Sequence, residues 1–378
     1  MPDAALLPLR LARVRSQHLT DDTRLDADVA AVARAMCALQ AQAVDAARHQ
    51  VRVRSVGLTA AAVDRAFEQD RSVVRTWLMR GTLHLCAADD LRWLIDVFGP
   101  AVDRFGASQR RNLGLDDSKC ERGVAVIRTA LGGGPMARRQ IRERLVSAGV
   151  LEEPVGQALV QLLYHAAALG IVCSGPRMGR DDSFVLLDDW VPQSKGPRGQ
   201  AALAELARRY FAAYGPASEA DFAAWSGLQR PAIRAAMTAV GSELVEYPGP
   251  VHALWTLGPV DSDPETVRPV VRLLGHFDTF LLGYWRREHV GDVAAETWIH
   301  DDGGGWIRPV ICVDGWIAGG WRLEQRSGQI EVTVMPFDRI GRRADPAIAR
   351  EVASIGSFLE RPARWSRGPL VGFDSAPT

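Results

Sequence analysis

Residues 156–187 read GQALVQLLYHAAALGIVCSGPRMGRDDSFVLL and hold a clear structural signal. The first half carries apolar side chains at helical spacing up to Gly170, which predicts a helix that ends there. The second half is a turn rich in glycine, proline and arginine, and it is followed by alternating residues that predict a strand. A helix is therefore expected to lead directly into a β-turn-β unit.

The same order extends to both sides of this stretch. Upstream, SKCERGVAVIRTAL and MARRQIRERLVSAG predict two helices separated by GGGP. Downstream of the linker VPQSKGPRGQ, three helical patterns precede a second candidate hairpin, VEYPGPVHALWTL. Three helices followed by a β-hairpin is the order of the winged helix, a variant of the DNA-binding helix-turn-helix. We predict winged-helix units at residues 117–192 and 193–262.

The remaining C-terminal part, residues 263–378, changes to β-rich patterns with branched and aromatic residues. Asp314-Gly315 stands between two apolar runs and predicts a tight type I′ hairpin. DPAIAREVASIGSFLE predicts a terminal amphipathic helix. We therefore predict a β-rich C-terminal domain with a hairpin and a final helix.

The N-terminal part begins with a helical pattern over residues 28–43, DVAAVARAMCALQAQA. SVVRTWLMRGTLHLCA, at 72–87, predicts a helix that passes into a strand. ADDLRWLIDVFGP predicts a helix ended by Gly99-Pro100. Gln40 and Gln42 lie in the first of these patterns, although residues two apart do not share a face of a helix.

The amino-acid composition excludes only a few classes of function. With 47% hydrophobic and 24% charged residues and zero formal net charge, the chain has an ordinary globular composition without a global sign of a polyanionic partner. Neither a signal peptide nor an apolar run of about 18 residues is recognisable, so we expect a cytoplasmic protein without membrane contact. No zinc motif or disulfide framework emerges, and we expect no metal and no cofactor. The cysteines are Cys37, Cys86, Cys120, Cys173 and Cys312.

Five stretches together resemble one family, the winged-helix DNA glycosylases related to the azinomycin self-resistance glycosylase. They are ALQAQ, RTWLMRGTLHL, GPASEADFAAWSGL, RLLGHFDTFLLGYWRR and RPVICVDGWIAGGW, in the family's order and spread from Val29 to Phe337. The resemblance implies an α+β, mainly α fold with three tandem winged helices, the first at residues 1–116, and a β-rich C-terminal part. It also implies a C-shaped, basic DNA-binding groove and excision of N7-alkylated purines, including bulky adducts and interstrand crosslinks.

The family's catalytic pair, Gln-x-Gln or Gln-x-Asp, matches Gln40 and Gln42 here. Glutamine is no general base, but an N7-alkylguanine is already cationic and leaves as a neutral base without protonation. Two amides can hold a water below C1′ and direct their dipoles toward developing positive charge. For both to converge, the helix must end or distort around Leu39–Gln42. The alternative is a pair of ordinary surface glutamines.

Further candidates for DNA contacts leave alternatives open. Arg80 and His84 either contact phosphate beside the glutamines or fill structural roles, Arg80 with a carboxylate and His84 at a strand edge. In GHFDTFLLGYWRR, His276 either lies near the flank of the lesion, with Asp278 and Arg286 also against DNA, or the stretch is a core strand flanked by a structural Asp–Arg pair.

Trp316, next to the Asp-Gly turn, either probes the minor groove at the lesion or helps to fill a small β-core. Arg138, Arg139, Arg142 and Arg144 spread around a helix, so only a subset can contact phosphates.

The expected function is a monofunctional DNA glycosylase that hydrolyses the N-glycosidic bond of N7-alkylated guanine in double-stranded DNA. It would act as a monomer in DNA repair, with self-resistance to a genotoxic natural product as one setting. The alternative is a non-enzymatic tandem winged-helix transcriptional regulator. The glutamine pair and the Asp-Gly hairpin favour the enzyme, because a repressor needs neither.

Overall fold

The computed structural model describes residues 3–179, 181–249, 251, 253–260, 263, 270–300, 305–338, 340–341 and 344–370. The chain divides into two compact units. Unit 1 comprises Met1–Val63, Ala207–Trp225 and Val240–Thr378, and unit 2 comprises Asp64–Leu206 and Ser226–Ala239. Both units contain helices and strands, so the predicted mixed fold class is confirmed.

Unit 1 contains most of its helices near its N-terminus and around its sheet. The helices that lie wholly within it are α1 (Leu7–Ser16), α2 (Val29–Ala35), α3 (Val44–Arg54), α13 (Thr279–Leu282), α14 (Val293–His300) and α15 (Asp345–Phe358). Its strands are β1 (Leu39–Gln40), β7 (Val245–Glu246), β8 (Trp255–Thr256), β9 (Val271–Leu274), β10 (Val310–Val313), β11 (Trp316–Arg326), β12 (Gln329–Pro336) and β13 (Ala363–Arg367).

A five-stranded sheet in the order β13-β12-β11-β10-β9 forms the centre of unit 1. Its pairings are antiparallel except for β12 with β13. Successive residues of a strand point to opposite faces, and both faces are buried. Leu274 and Val310 join a cluster with residues of α1, α3 and α14. Leu273 and Ile311 join a second cluster with residues of α15.

Unit 2 is mainly helical and carries two small β-structures. Its complete elements are β2 (Val73–Trp77), β3 (Leu83–Ala87), α5 (Ala88–Asn112), α6 (Asp117–Leu131), β4 (Met136–Ala137), α7 (Arg138–Ser147), α8 (Ala158–Ala168), β5 (Val172–Ser174), β6 (Ser183–Leu186) and α9 (Leu187–Trp190). Strands β2 and β3 form a hairpin, and β4-β6-β5 form a small sheet beside α6, α7 and α8. Four helices have residues in both units: α4 (Ala60–Glu68), α10 (Gln200–Tyr214), α11 (Glu219–Ser226) and α12 (Arg230–Val240).

Local signals account for several of these elements. The predicted helix in GQALVQLLYHAAALGIV is α8, and the predicted Asp-Gly hairpin joins β10 to β11 with Val313 opposite Trp316. Asp314 and Gly315 have φ values of 46° and 76°, as a type I′ turn requires. The Asp116 carboxylate caps α6 by accepting a hydrogen bond from the Lys119 amide at 2.7 Å.

Three secondary-structure predictions were wrong. The helix expected over 28–43 ends at Ala35, and an extended segment with β1 follows. The helix expected at the start of 72–87 is the strand β2, because its branched residues pair with β3. Gly99-Pro100 does not end α5, which runs on to Asn112. A side chain at Gly99 would place Cβ 2.4 Å from the Ala168 backbone oxygen, so close packing on α8 accounts for this glycine inside a helix.

Some sequence predictions fall outside the described residues. Pro250 and His252, which stand between β7 and β8 in the predicted hairpin VEYPGPVHALWTL, lie outside them, and so does the boundary at residue 262. Within the part of the chain that the structure describes, every helix is either too short or too polar to cross a lipid bilayer.

Candidate active site

The two candidate catalytic glutamines lie on the non-helical connection between α2 and α3. Cys37 has a left-handed φ of 64°, which turns the chain out of α2, and Leu39–Gln40 is extended. Gln40 ends this extended stretch, and Gln42 lies in the bend that precedes α3. Gln40 is 6% exposed, whereas Gln42 is exposed. The pair therefore spans the boundary between the interior and solvent, and the helix ends before it, at Ala35 rather than around Leu39–Gln42 as expected.

Buried side chains hold this connection at two backbone oxygens. Gln50 of α3, which is fully buried, donates from Nε2 to the Gln40 oxygen at 2.7 Å. Tyr214 donates from its hydroxyl to the Met36 oxygen at 3.2 Å. Both bonds act on the backbone, so they fix where the chain passes without occupying the side-chain amides of the candidate pair.

A buried ion pair in the core of unit 1 anchors the backbone of Gln50. Arg54, also on α3, donates from Nη1 to the Gln50 backbone oxygen at 3.2 Å. The same guanidinium makes two bonds to the Asp278 carboxylate, 3.0 and 2.7 Å long, and both side chains are completely buried. It also donates to the Gln17 amide oxygen and to the Thr279 hydroxyl. Breaking such a pair leaves an uncompensated charge in the interior.

Asp278 is therefore placed in the core of unit 1, where it also accepts a hydrogen bond from the Phe280 amide at 2.9 Å and caps α13. The structural Asp–Arg pair considered from the sequence exists, but its arginine is Arg54. Arg286 is a surface residue, 68% exposed at its side chain, and its guanidinium lies 3.3 Å from Glu288. Of these two, Arg286 has the accessible charge that a phosphate contact needs.

His276 follows β9, and the preceding Gly275 lies against His49 of α3. The Nδ1 of His276 is 2.9 Å from the Ile307 backbone oxygen, so Nδ1 carries a proton and donates to that oxygen. Its ring packs edge-on against Trp306, and a neighbouring histidine, His49, packs edge-on against Trp321. Burial, reinforced by the charge of Arg52, lowers the pKa of His49 to about 3, so His49 is neutral at physiological pH.

Trp316 follows a hairpin tip that is packed against α1. The Arg10 guanidinium lies over the Trp316 ring, 5.6 Å from its centre, and the ring is half-buried. Gly315 is buried, and a Cβ there would lie 2.7 Å from the Arg10 Cβ. The Asp314 carboxylate accepts from the Val270 amide at 2.8 Å. The turn thus faces the protein, which agrees with the β-core interpretation of Trp316.

Arg80 and His84 belong to unit 2, where they flank the turn between β2 and β3. Arg80 has a left-handed φ of 55° and is half-buried. His84 is 2% exposed, and its Nδ1 donates to the Thr82 backbone oxygen at 2.9 Å. Burial, together with the charge of Arg80, lowers the pKa of His84 to about 3. A neutral His84 offers no positive charge to a phosphate, and a position of either residue beside the glutamines stays a prediction.

Sequence reasoning missed Gln50, Arg54 and Tyr214. One signal was present: VRVR, at 51–54, places two arginines in a helix with apolar neighbours, and both Arg52 and Arg54 are buried. Buried arginines are rare without partners, so they predict carboxylates elsewhere in the chain. Within the described residues, no group of three or more His, Cys, Asp or Glu side chains is placed to hold a metal ion.

Comparison with known proteins identifies the class of protein to which this chain belongs. A family model of AlkZ-like DNA glycosylases matches residues 33–358, which include the glutamine pair and its supporting network. The chain belongs to the AlkZ-like DNA glycosylase family, so the resemblance and the enzyme class predicted from the sequence are confirmed.

Two matches from Streptomyces sahachiroi, one to a sequence and one to a solved structure, support the assignment. One, an interstrand DNA cross-link repair glycosylase, is 27% identical over 333 residues, which are 85% of this chain and 88% of the relative. The other is the solved structure of the DNA glycosylase AlkZ, which matches with a TM-score of 0.75 and 25% identity. That match covers 97% of this chain and 100% of the solved chain.

Proposed function

We propose that this DNA glycosylase removes N7-alkylated guanine from double-stranded DNA, including guanine in interstrand crosslinks, and that Gln40 and Gln42 hold the attacking water. The observation that carries the proposal is the anchored connection between α2 and α3. Its backbone is held at the Gln40 and Met36 oxygens by Gln50 and Tyr214, so the segment that carries the two neutral amides is anchored. Preorganised dipoles stabilise charge without a reorganisation cost during the reaction.

The chemistry suits neutral catalytic groups. The water oxygen forms a bond to C1′ while the bond from C1′ to N9 breaks. The electron pair of the broken bond goes to the purine and neutralises the positive charge that alkylation at N7 created. The water proton passes to solvent. No acid is needed at the leaving base, and the amide oxygens of the pair can orient the water and face the developing charge on the sugar.

The proposal extends to the wider architecture and to the substrate. Winged-helix units at 1–116, 117–192 and 193–262, a β-rich domain at 263–378 and a C-shaped groove would bind duplex DNA as a monomer. A crosslinked base cannot be flipped into a closed pocket, so the lesion would be processed from an open surface. Arg80 and Arg286 would contact DNA, His276 would lie near the lesion, and Asp278 would act through Arg54. Self-resistance to a genotoxic natural product is the biological setting we propose.

The test is base release from duplexes that contain N7-methylguanine or a nitrogen-mustard crosslink. Wild type is compared with Gln40→Ala/Gln42→Ala and with a control pair of exposed glutamines, Gln193→Ala/Gln325→Ala. We expect release by wild type and by the control, and its loss in the catalytic double variant while DNA binding persists. No release by wild type from either substrate would overturn the proposal. High affinity for one undamaged sequence would instead indicate a regulator.

A further inference from the structure

A cavity of about 120 Å³ lies in unit 1, away from the glutamine pair. It opens between the loop after α1, the start of β9 and the helix α15. Its polar lining consists of Asp21, Arg24, Arg272, Arg350, Glu351 and Ser354. A further arginine, Arg52, adjoins this lining through its bonds to Glu351 and Ser354.

Positive charge exceeds negative charge around this cavity. Glu351 is the buried carboxylate of the lining, and it shares its oxygens between Arg52 and Arg272, each 3.4 Å away. Arg24 donates to the backbone oxygens of Arg52 and Ser55, and among the described residues no carboxylate lies within ion-pair distance of it. Burial, and then the nearby charge of Arg272, lowers the pKa of Arg24.

The arginines also have hydrogen-bonding capacity to spare. The Nε groups of Arg24, Arg52 and Arg272 are all buried and have no hydrogen-bond partner among the described residues. Arg52 and Arg272 are only 2% and 6% exposed. A buried N–H without an acceptor is costly, and Arg24 lacks an ion pair among the described residues, so an anion in the cavity would supply the missing acceptor and counter-charge.

Asp21 occupies the position at the cavity mouth that such an anion would take. Its carboxylate lies 2.6 Å from an Nη atom of Arg272, yet its side chain is 76% exposed. An exposed ion pair contributes little to stability, so a more highly charged anion can displace it. Arg350 is exposed and lies on the same rim.

We propose that this cavity binds a phosphate group, held by Arg24 and Arg272 in place of Asp21 and closed by Arg350. Guanidinium groups form paired hydrogen bonds to phosphate oxygens, which suits the chemistry of the lining. The site is separate from the glutamine pair. Arg52 stands near the end of α3 and Gln42 precedes its start, roughly 12 Å apart along the helix axis. The phosphate is either a backbone phosphate of bound DNA or free inorganic phosphate.

Calorimetric titration of the full chain with inorganic phosphate, at constant ionic strength, tests the site directly. We expect binding that Arg24→Gln weakens about tenfold or more, since a hydrogen bond to a charged group is lost. Arg350→Ala, at an exposed position, should weaken it without affecting folding. Asp21→Asn should strengthen it. Arg139→Ala, an exposed arginine of α7 paired with Glu143, is the matched control and should bind like wild type.

A second arm identifies the source of the phosphate by measuring affinity for undamaged duplex DNA. Opposite changes in DNA affinity for Arg350→Ala and Asp21→Asn, with competition by inorganic phosphate, would assign the site to the DNA backbone. Unchanged DNA affinity with altered phosphate binding would assign it to free phosphate. Phosphate binding that is absent in wild type, or unaltered in all three variants, would overturn the proposal. Base release is not measured, so the outcome does not depend on the proposed catalytic function.

Discussion

The side-chain amide of Gln50 donates a hydrogen bond of 2.7 Å to the backbone oxygen of Gln40, and both residues are buried. This hydrogen bond joins α3 to the connection between α2 and α3, which carries the candidate catalytic pair. Because it acts on the backbone, it sets the position of Gln40 within the connection. Gln50 is in this view a positioning residue, and Arg54 and Asp278 support it from the core.

Replacing Gln50 by methionine should slow base release while leaving KM nearly unchanged. Methionine matches the length of glutamine but cannot donate to Gln40, so the connection would shift. A misplacement of about 1 Å costs on the order of 100-fold in rate. Single-turnover base release, measured alongside DNA affinity, separates the two effects.

Two comparisons complete this experiment. Gln161→Met, at a partly buried glutamine of α8 in unit 2, is the control and should retain the wild-type rate. Gln50→Met that keeps the full rate, or loses only affinity, would contradict a positioning role.

Features set by neighbouring residues could be predicted from the sequence, whereas features set by contacts between distant residues could not. The Asp314-Gly315 turn was readable because the two residues by themselves favour positive φ. The glutamine pair was found through a family resemblance, and an end or distortion of the helix around Leu39–Gln42 was expected because a helix cannot bring residues 40 and 42 together.

The parts that sequence could not predict depend on distant packing. Arg54 and Asp278 are 224 positions apart, and nothing in the local spacing distinguishes Arg54 from Arg286 as the partner of Asp278. Pro100 was read as a helix end, although packing of α5 on α8 outweighs this local preference.

Asp278→Asn should destabilise unit 1 by about 3–5 kcal/mol, because it leaves the fully buried Arg54 without a full counter-charge. Arg286→Ala should change stability by less than about 1 kcal/mol, since its ion pair with Glu288 is exposed. Denaturant unfolding at neutral pH measures both. Equal stability of the two variants would rule out the core role assigned to Asp278.

Arg286→Ala also tests the proposed DNA contact of this exposed arginine. Arg286→Ala should weaken DNA binding and reduce its salt dependence, as expected when a phosphate contact is lost.

Arg54→Met/Asp278→Leu should recover part of the stability that Asp278→Asn loses, because apolar pairs replace buried ion pairs well. A double variant less stable than Asp278→Asn would argue against this account.

His84 predicts a pH dependence of stability. Its folded pKa of about 3 is below the ordinary value of 6.5, so between these pH values the unfolded chain binds the proton and the folded chain does not. Stability from this residue is complete above pH 6.5 and falls by about 1.4 kcal/mol per pH unit as the pH drops toward 3. In His84→Phe this component is absent.

Denaturant midpoints of wild type and His84→Phe across the acidic range test the point. The two curves should run parallel above pH 7, which serves as the internal control. Below pH 6.5 wild type should lose stability more steeply. Parallel curves throughout would mean that His84 has the same pKa in the folded and unfolded chain.

Gly315→Ala should destabilise the hairpin more than Gly328→Ala, although both glycines have similar left-handed φ values, 76° and 78°. At Gly328 a Cβ meets nothing within 4 Å, so its substitution costs only the backbone strain, about 1 kcal/mol. At Gly315 the Cβ would lie 2.7 Å from the Arg10 Cβ and 2.9 Å from the Arg10 backbone oxygen, so α1 or the turn must move. We expect a further loss of about 1–3 kcal/mol, as for other overpacked sites. Thermal unfolding of both variants gives the difference directly, and equal losses would show that the turn is not packed against α1 in solution.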